Sequence, residues 1–136
     1  MPRHVNYVPK GVIPAVLLPF ENDLSIDEAN YRKHLRDVAA VEGLSAVTIN
    51  AHSTEVASCT FEEQRRVLEI AQDEIGGRLP LVNGIWTDGS LEAARIARMA
   101  APRRCWCFRR RRSCWASRRR WRSRISSASP TPPTCR

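Results

Sequence analysis

The chain has 136 residues, enough for one ordinary domain, and carries a net charge of +8. That figure joins two unlike parts: residues 1–100 hold 10 Lys+Arg against 14 Asp+Glu, whereas residues 101–136 hold 12 Arg and no acid. Cys59 is the lone cysteine of the first hundred residues, which excludes a disulfide framework there, and the apolar run Val12–Leu18 is too short to span a bilayer. The start, Met1-Pro-Arg-His4, lacks the apolar stretch of a secretory signal, so the expected location is cytoplasmic.

Gly11 to Leu18 is continuously apolar and closed by Pro19, the pattern of a strand buried on both faces, although Pro14 weighs against a central position. Ser25-Ile-Asp-Glu28 has capping-box spacing and predicts a helix start. Tyr31, Leu35, Val38 and Ala39 follow at helical spacing, with Gly43 as the expected C-terminal cap. Leu44 to Asn50 reads as a second strand. Thr60-Phe-Glu-Glu63 is another capping box, ahead of an apolar face of Val67, Leu68, Ile70, Ala71 and Ile75 that ends at Gly76-Gly77. Leu79 to Gly84 reads as a third strand, and Thr87-Asp-Gly-Ser90 leads into a helix whose expected apolar residues are Leu91, Ala94 and Ile96. Three strand–helix alternations argue for βαβ units on a parallel sheet. Doubly wound sheets and (β/α)₈ barrels both begin this way, and periodicity does not choose between them.

Local sequences add a resemblance. Gly11-Val-Ile-Pro-Ala15 with Leu18-Pro-Phe20, Gly43-Leu-Ser-Ala-Val47, Ala51-His-Ser-Thr-Glu55, Thr60 to Glu69 and Arg78 to Gly84 occur in an order and spacing that resembles the dihydrodipicolinate synthase/N-acetylneuraminate lyase family, the pyruvate-type Schiff-base aldolases. The likeness covers about residues 9–101. It implies an incomplete (β/α)₈ TIM barrel, in which residues 1–101 supply the first three βα units and residues 102–136 are a disordered Arg-rich tail. The parent it implies is a homo-oligomeric lyase or synthase that acts on pyruvate or another 2-oxo acid without a metal or organic cofactor.

In a barrel, function lies at the C-terminal ends of the strands, where Asn50 to Glu55 would sit. The family uses this loop to hold the substrate carboxylate, so the resemblance implies substrate-binding roles for Ser53, His52 and Thr54, with Ser53 as the carboxylate-binding hydroxyl. By residue type alone, Ser53 and Thr54 stay open as ordinary loop residues. His52 stands where synthase members place a relay threonine, which points to a different second substrate. Glu55 reads as a structural hydrogen-bonding residue and Cys59 as core packing. His4 and His34 read as solvated, with no second ligand at metal-site spacing. The family's imine-forming lysine and partner tyrosine have no counterpart: the lysines are Lys10 and Lys33, and the tyrosines Tyr7 and Tyr31. No catalytic residue is therefore assigned.

Two readings of residues 102–136 compete. Arginine interleaved with Trp106, Trp115 and Trp121 suits a nucleic-acid-binding arm, the alternative function for a small basic protein. Cys105-x-Cys107 looks like half a metal site, yet Cys114 and Cys135 complete no known spacing. The genetic code offers the other reading. In the frame beginning at each codon's third base, Cys105-Trp106 forces Leu, Trp106-Cys107 forces Val, Cys114-Trp115 forces Leu and Trp115-Ala116 forces Gly. Arg103 to Arg110 then permits Ala-Leu-Leu-Val-Phe-Pro-Pro, which resembles the family's fourth strand. A frameshift near residues 99–102 is the preferred account. A barrel closes with about 250 residues, so a polypeptide of three units is expected to be marginally folded, aggregation-prone and catalytically silent.

Overall fold

A computed structural model describes residue 8, residues 10–101 and the backbone of residues 106–109. Three α-helices, α1 (Glu28–Ala39), α2 (Phe61–Ile75) and α3 (Ser90–Ala100), alternate with parallel strands β1 (Val47–Ile49), β2 (Leu81–Ile85) and β3 (Trp106–Arg109). The strands lie side by side in sequence order. Val47 is opposite Leu81 and Ile49 opposite Asn83, while Val82 is opposite Trp106 and Ile85 opposite Arg109.

The apolar run at 11–18 lies along β1 without forming a regular strand. It makes isolated parallel bridges, Val12 with Leu44 and Ala15 with Thr48. At the second bridge the Thr48 N–H donates to the Pro14 carbonyl at 2.8 Å, and the Val16 N–H donates to the Thr48 carbonyl at 3.1 Å. Pro14 has no N–H to give, so the ladder breaks where the sequence carries it. The chain of neighbours is therefore residues 11–18, β1, β2 and β3, all parallel.

The helices bear out most of the periodicity. Tyr31, Leu35 and Ala39 of α1 are buried, as are Val67, Leu68, Ile70, Ala71 and Ile75 of α2. With Val16, Leu18, Val47, Ile49, Leu81 and Ile85 they form one core between sheet and helices. The capping box of α2 forms as spaced: the Thr60 N–H donates to Glu63 Oε2 at 2.7 Å, and the Glu63 N–H donates to Thr60 Oγ1 at 3.2 Å. The Thr60 N–H and the Thr60 hydroxyl, which also donates to Oε2 at 2.8 Å, hold the Glu63 carboxyl below its ordinary range.

Four expectations need correction. The cap of α1 is Asp27, whose Oδ1 accepts the Asn30 N–H at 2.9 Å, while Ser25 turns away and donates to Asp23 at 2.6 Å. A carboxylate satisfies the free N–H groups and also complements the helix dipole, so Asp27 outcompetes Ser25. Glu28 then accepts both Nε and Nη2 of Arg66, each at 2.6 Å, tying α1 to α2. Second, α1 ends at Ala39, and Gly43 provides a left-handed residue, φ 83°, in the loop beyond rather than the cap itself. Third, Leu91 is 72% exposed; α3 buries Ala93, Ile96, Met99 and Ala100, a stripe rotated from the expected one. Fourth, Trp106–Arg109 lies inside the tail expected to be disordered, yet its backbone pairs with β2. The remainder of the tail, with Cys105, Cys114, Trp115, Trp121 and Cys135, lies outside the described residues, as do His4 and Tyr7.

Gly84 is fixed by contact with the neighbouring strand's end. A Cβ on Gly84 in β2 would fall on the carbonyl oxygen of Asn50 and lie 3.1 Å from the Ala51 Cα. Both obstacles are backbone, so neither can rotate away. Gly77, by contrast, has open space where a Cβ would stand. Gly84→Ala should therefore lower stability by about 1–3 kcal/mol, and Gly77→Ala should change it by less than about 0.5 kcal/mol. Urea unfolding of both variants checks the difference; equal midpoints would contradict it.

Candidate functional site

The C-terminal ends of β1 and β2 meet at a buried pair of amides. Asn50, directly after β1, is 1% exposed and left-handed at φ 49°, a conformation asparagine tolerates better than most residues. Its Nδ2 donates to Oδ1 of Asn83 at 2.8 Å and to the Gln64 carbonyl at 2.9 Å. Asn83, fully buried within β2, uses its own Nδ2 on the Gly84 carbonyl at 2.8 Å. One amide group thus ties β1 to both β2 and α2. The Gly84 contact with the Asn50 backbone closes the same junction.

From this base the chain rises into a short turn. Ala51 is extended, His52–Thr54 make one 3₁₀ turn, and Glu55 is left-handed at φ 52°. Thr54 is fully buried; its Oγ1 donates to the Val16 carbonyl at 3.0 Å and accepts the Ala51 N–H at 3.3 Å. This hydroxyl anchors the turn to the 11–18 segment. The Thr54, Glu55 and Val56 N–H groups fold back onto Ala51 and His52 carbonyls. The N–H groups of His52 and Ser53 have no such partner among the described residues. Ser53 and His52 are both exposed. The turn therefore presents an unused hydroxyl and two main-chain donors above a rigid floor, an arrangement suited to an oxyanion.

The His52 ring lies against the indole of Trp86, the residue after β2, with centroids 5.2 Å apart and planes inclined by 34°. Glu55 contributes its backbone, which turns the chain, and its side chain is exposed. His34 differs from the solvated reading: its Nε2 accepts the Leu17 N–H at 3.2 Å, which fixes the proton on Nδ1 whenever the ring is neutral. Tyr31 is buried with an unpartnered hydroxyl, and burial pushes its phenol above the ordinary range. Lys33 is exposed and paired with Asp37 at 2.7 Å. Among the described residues, no three His, Cys, Asp or Glu side chains gather as a metal-holding group, and no helix is long and apolar enough to cross a membrane.

Sequence reasoning missed the Asn50–Asn83 pair, the anchoring by Thr54 and the His52–Trp86 contact. A usable signal was present for the first: two asparagines close otherwise apolar strands, and a buried amide must find partners. The other two depend on how neighbouring loops meet in space, which spacing along one chain does not carry.

Comparison with known proteins places this geometry. The profile of the Dihydrodipicolinate synthetase family matches residues 8–103. The chain is 34% identical over 91 residues to the 4-hydroxy-tetrahydrodipicolinate synthase of Salinibacter ruber, covering 67% of this chain and 30% of that protein. Against the enzyme of the same name from Methanothermobacter thermautotrophicus it is 32% identical, covering 67% and 32% respectively. Among solved structures, dihydrodipicolinate synthase from Aquifex aeolicus superposes with a TM-score of 0.66 at 23% identity, over 73% of this chain and 33% of that one. N-acetylneuraminate lyase from Mycoplasma synoviae gives a TM-score of 0.64 at 21% identity, over 71% and 33%. The α/β fold is thus that of part of these proteins. The chain spans about a third of the length of the relatives it matches.

Cys59, past the second turn of the loop, packs against the core from a half-buried position. Burial pushes its thiol up from 9.0 to about 11, with Glu63 and Glu55 adding in the same direction. The thiolate is the reactive form, so at pH 8 its fraction falls about a hundredfold below that of an ordinary thiol. Alkylation by iodoacetamide, followed by peptide mass mapping, should be about that much slower at Cys59 in the folded chain than in urea. Equal rates would contradict the packing described.

Proposed function

Because this chain belongs to the dihydrodipicolinate synthetase family, we propose that the turn at His52–Thr54 binds the carboxylate of a pyruvate-like 2-oxo acid. The observation that carries this reading is the pairing of an exposed Ser53 hydroxyl with the unused His52 and Ser53 N–H groups, on a floor fixed by Asn50 and Asn83. Ser53 donates to the carboxylate, His52 contributes its N–H and the face of its ring, and Thr54 acts through the anchor it makes to Val16. The parent activity is that of a cytoplasmic, homo-oligomeric (β/α)₈ lyase or synthase that converts the 2-oxo acid to an enamine through a Schiff base.

These 136 residues do not supply the amine for that step. A nucleophilic lysine needs an apolar setting that lowers its pKa. Lys33 is exposed on α1 and paired with Asp37, and Lys10 is exposed ahead of the first apolar segment. We read residues 1–101 as the barrel portion and residues 102–136 as out-of-frame sequence. The recoded Leu-Leu-Val-Phe stretch spans the codons of residues 104–108 and so overlaps β3, which pairs with β2. The 12 arginines of residues 101–136 favour a second reading, nonspecific and salt-sensitive nucleic-acid binding.

Two measurements test the main reading. Titration with pyruvate should shift the amide resonances of His52 and Ser53, and Ser53→Ala should weaken binding about tenfold, the loss of one hydrogen bond to a charged group. Borohydride added with pyruvate should leave the chain's mass unchanged. Absence of any amide response overturns carboxylate binding, and a stable lysine adduct overturns the inactivity of this polypeptide.

A further inference from the structure

We infer that His52 and Trp86 form an aromatic wall beside the carboxylate turn, and that the site takes a 2-oxo acid bearing a flat unsaturated or aromatic substituent. This rests on the carboxylate reading of the preceding section and narrows its substrate class.

Three observations combine. First, the two rings come from the residues that follow adjacent parallel strands; with centroids 5.2 Å apart and planes inclined by 34° they pack on each other, and with His52 exposed and Trp86 half-buried both keep ring surface open to solvent. Second, His52 is the residue next to Ser53 in the same turn, so the ring pair neighbours the carboxylate donors. Third, the buried polar side chains at these strand ends are already committed. Asn50 and Asn83 bond to each other and to main chain, and Thr54 bonds to Val16 and Ala51.

The chemistry follows from that inventory. A polyhydroxylated substituent would give up water for a surface offering few matching donors and acceptors, at a cost for each unpaired hydroxyl. A planar conjugated group loses little hydration and gains offset stacking against indole and imidazole. Trp86 is half-buried, so its position is set by its surroundings and needs little ordering when a ligand arrives.

The test uses the full chain, with the Ser53 amide resonance as readout for phenylpyruvate, pyruvate and 2-oxogluconate. Phenylpyruvate should half-saturate at about a tenth of the pyruvate concentration, and 2-oxogluconate should show no such gain. The phenylpyruvate-to-pyruvate ratio should fall to about one in Trp86→Ala and be largely kept in Trp86→Phe, which retains a flat ring. Equal affinity for the three acids, or a ratio that survives Trp86→Ala, overturns the wall and leaves carboxylate binding standing. No response of Ser53 to any of the three acids overturns both.

Discussion

The bond between the Asn50 and Asn83 side chains is the constraint on which the rest of this structure depends. Two amides are removed from water at the point where strands β1 and β2 end, and each must recover the hydrogen bonds it gives up. Asn50 does so by reaching across the strand gap to Asn83 and into α2, and Asn83 by donating to the Gly84 carbonyl, so sheet and helix layer are tied through one side chain. The close approach of the Asn50 carbonyl to Gly84 follows from the same geometry, since only a residue without Cβ lets the two backbones come that near. Apolar packing of Ile49, Leu68 and Ile85 supplies the bulk of the burial around it, but nonpolar contact is non-directional. The amide pair adds a directed bond across the strand ends.

On that base the turn at His52–Thr54 has little freedom. It is entered through a left-handed Asn50 and an extended Ala51, its last residue buries a hydroxyl against Val16, and a second left-handed residue at Glu55 sends the chain toward α2. What stays without a partner among the described residues is the Ser53 hydroxyl and two main-chain N–H groups, on the exposed residues His52 and Ser53. Binding sites for oxyanions gain from donors that need no rearrangement, and a turn pinned at both ends meets that condition. The family to which the chain belongs gives the turn a chemical context, and the His52–Trp86 surface gives it an individual one.

Much of this was legible in the residues. Continuous apolar runs located the sheet, and the Thr60–Glu63 box set the start of α2 because its spacing admits one geometry. The start of α1 was misplaced because two side chains, Ser25 and Asp27, were both able to cap, and charge decided between them. Leu91 was misassigned because α3 is rich in alanine, so a large residue stood out as core while Ala93, Ile96 and Met99 did the packing. At the candidate site, Ser53 and His52 were found through resemblance alone. Thr54 carries the same hydroxyl as a binding residue, and only its burial against Val16 shows it to be an anchor. Asn83 and Trp86 went unnoticed because their meaning lies in a neighbour from another strand.

A double-mutant cycle on Asn50→Ala and Asn83→Ala, read by urea unfolding of the full chain, tests most directly whether this contact sets the junction. Each single change should orphan the other amide, so the double variant should lose less than the sum of the singles, with a coupling energy of about 1–2 kcal/mol. Losses that add to within about 0.3 kcal/mol would mean that the two side chains act independently, and that something other than their bond holds the strand ends together.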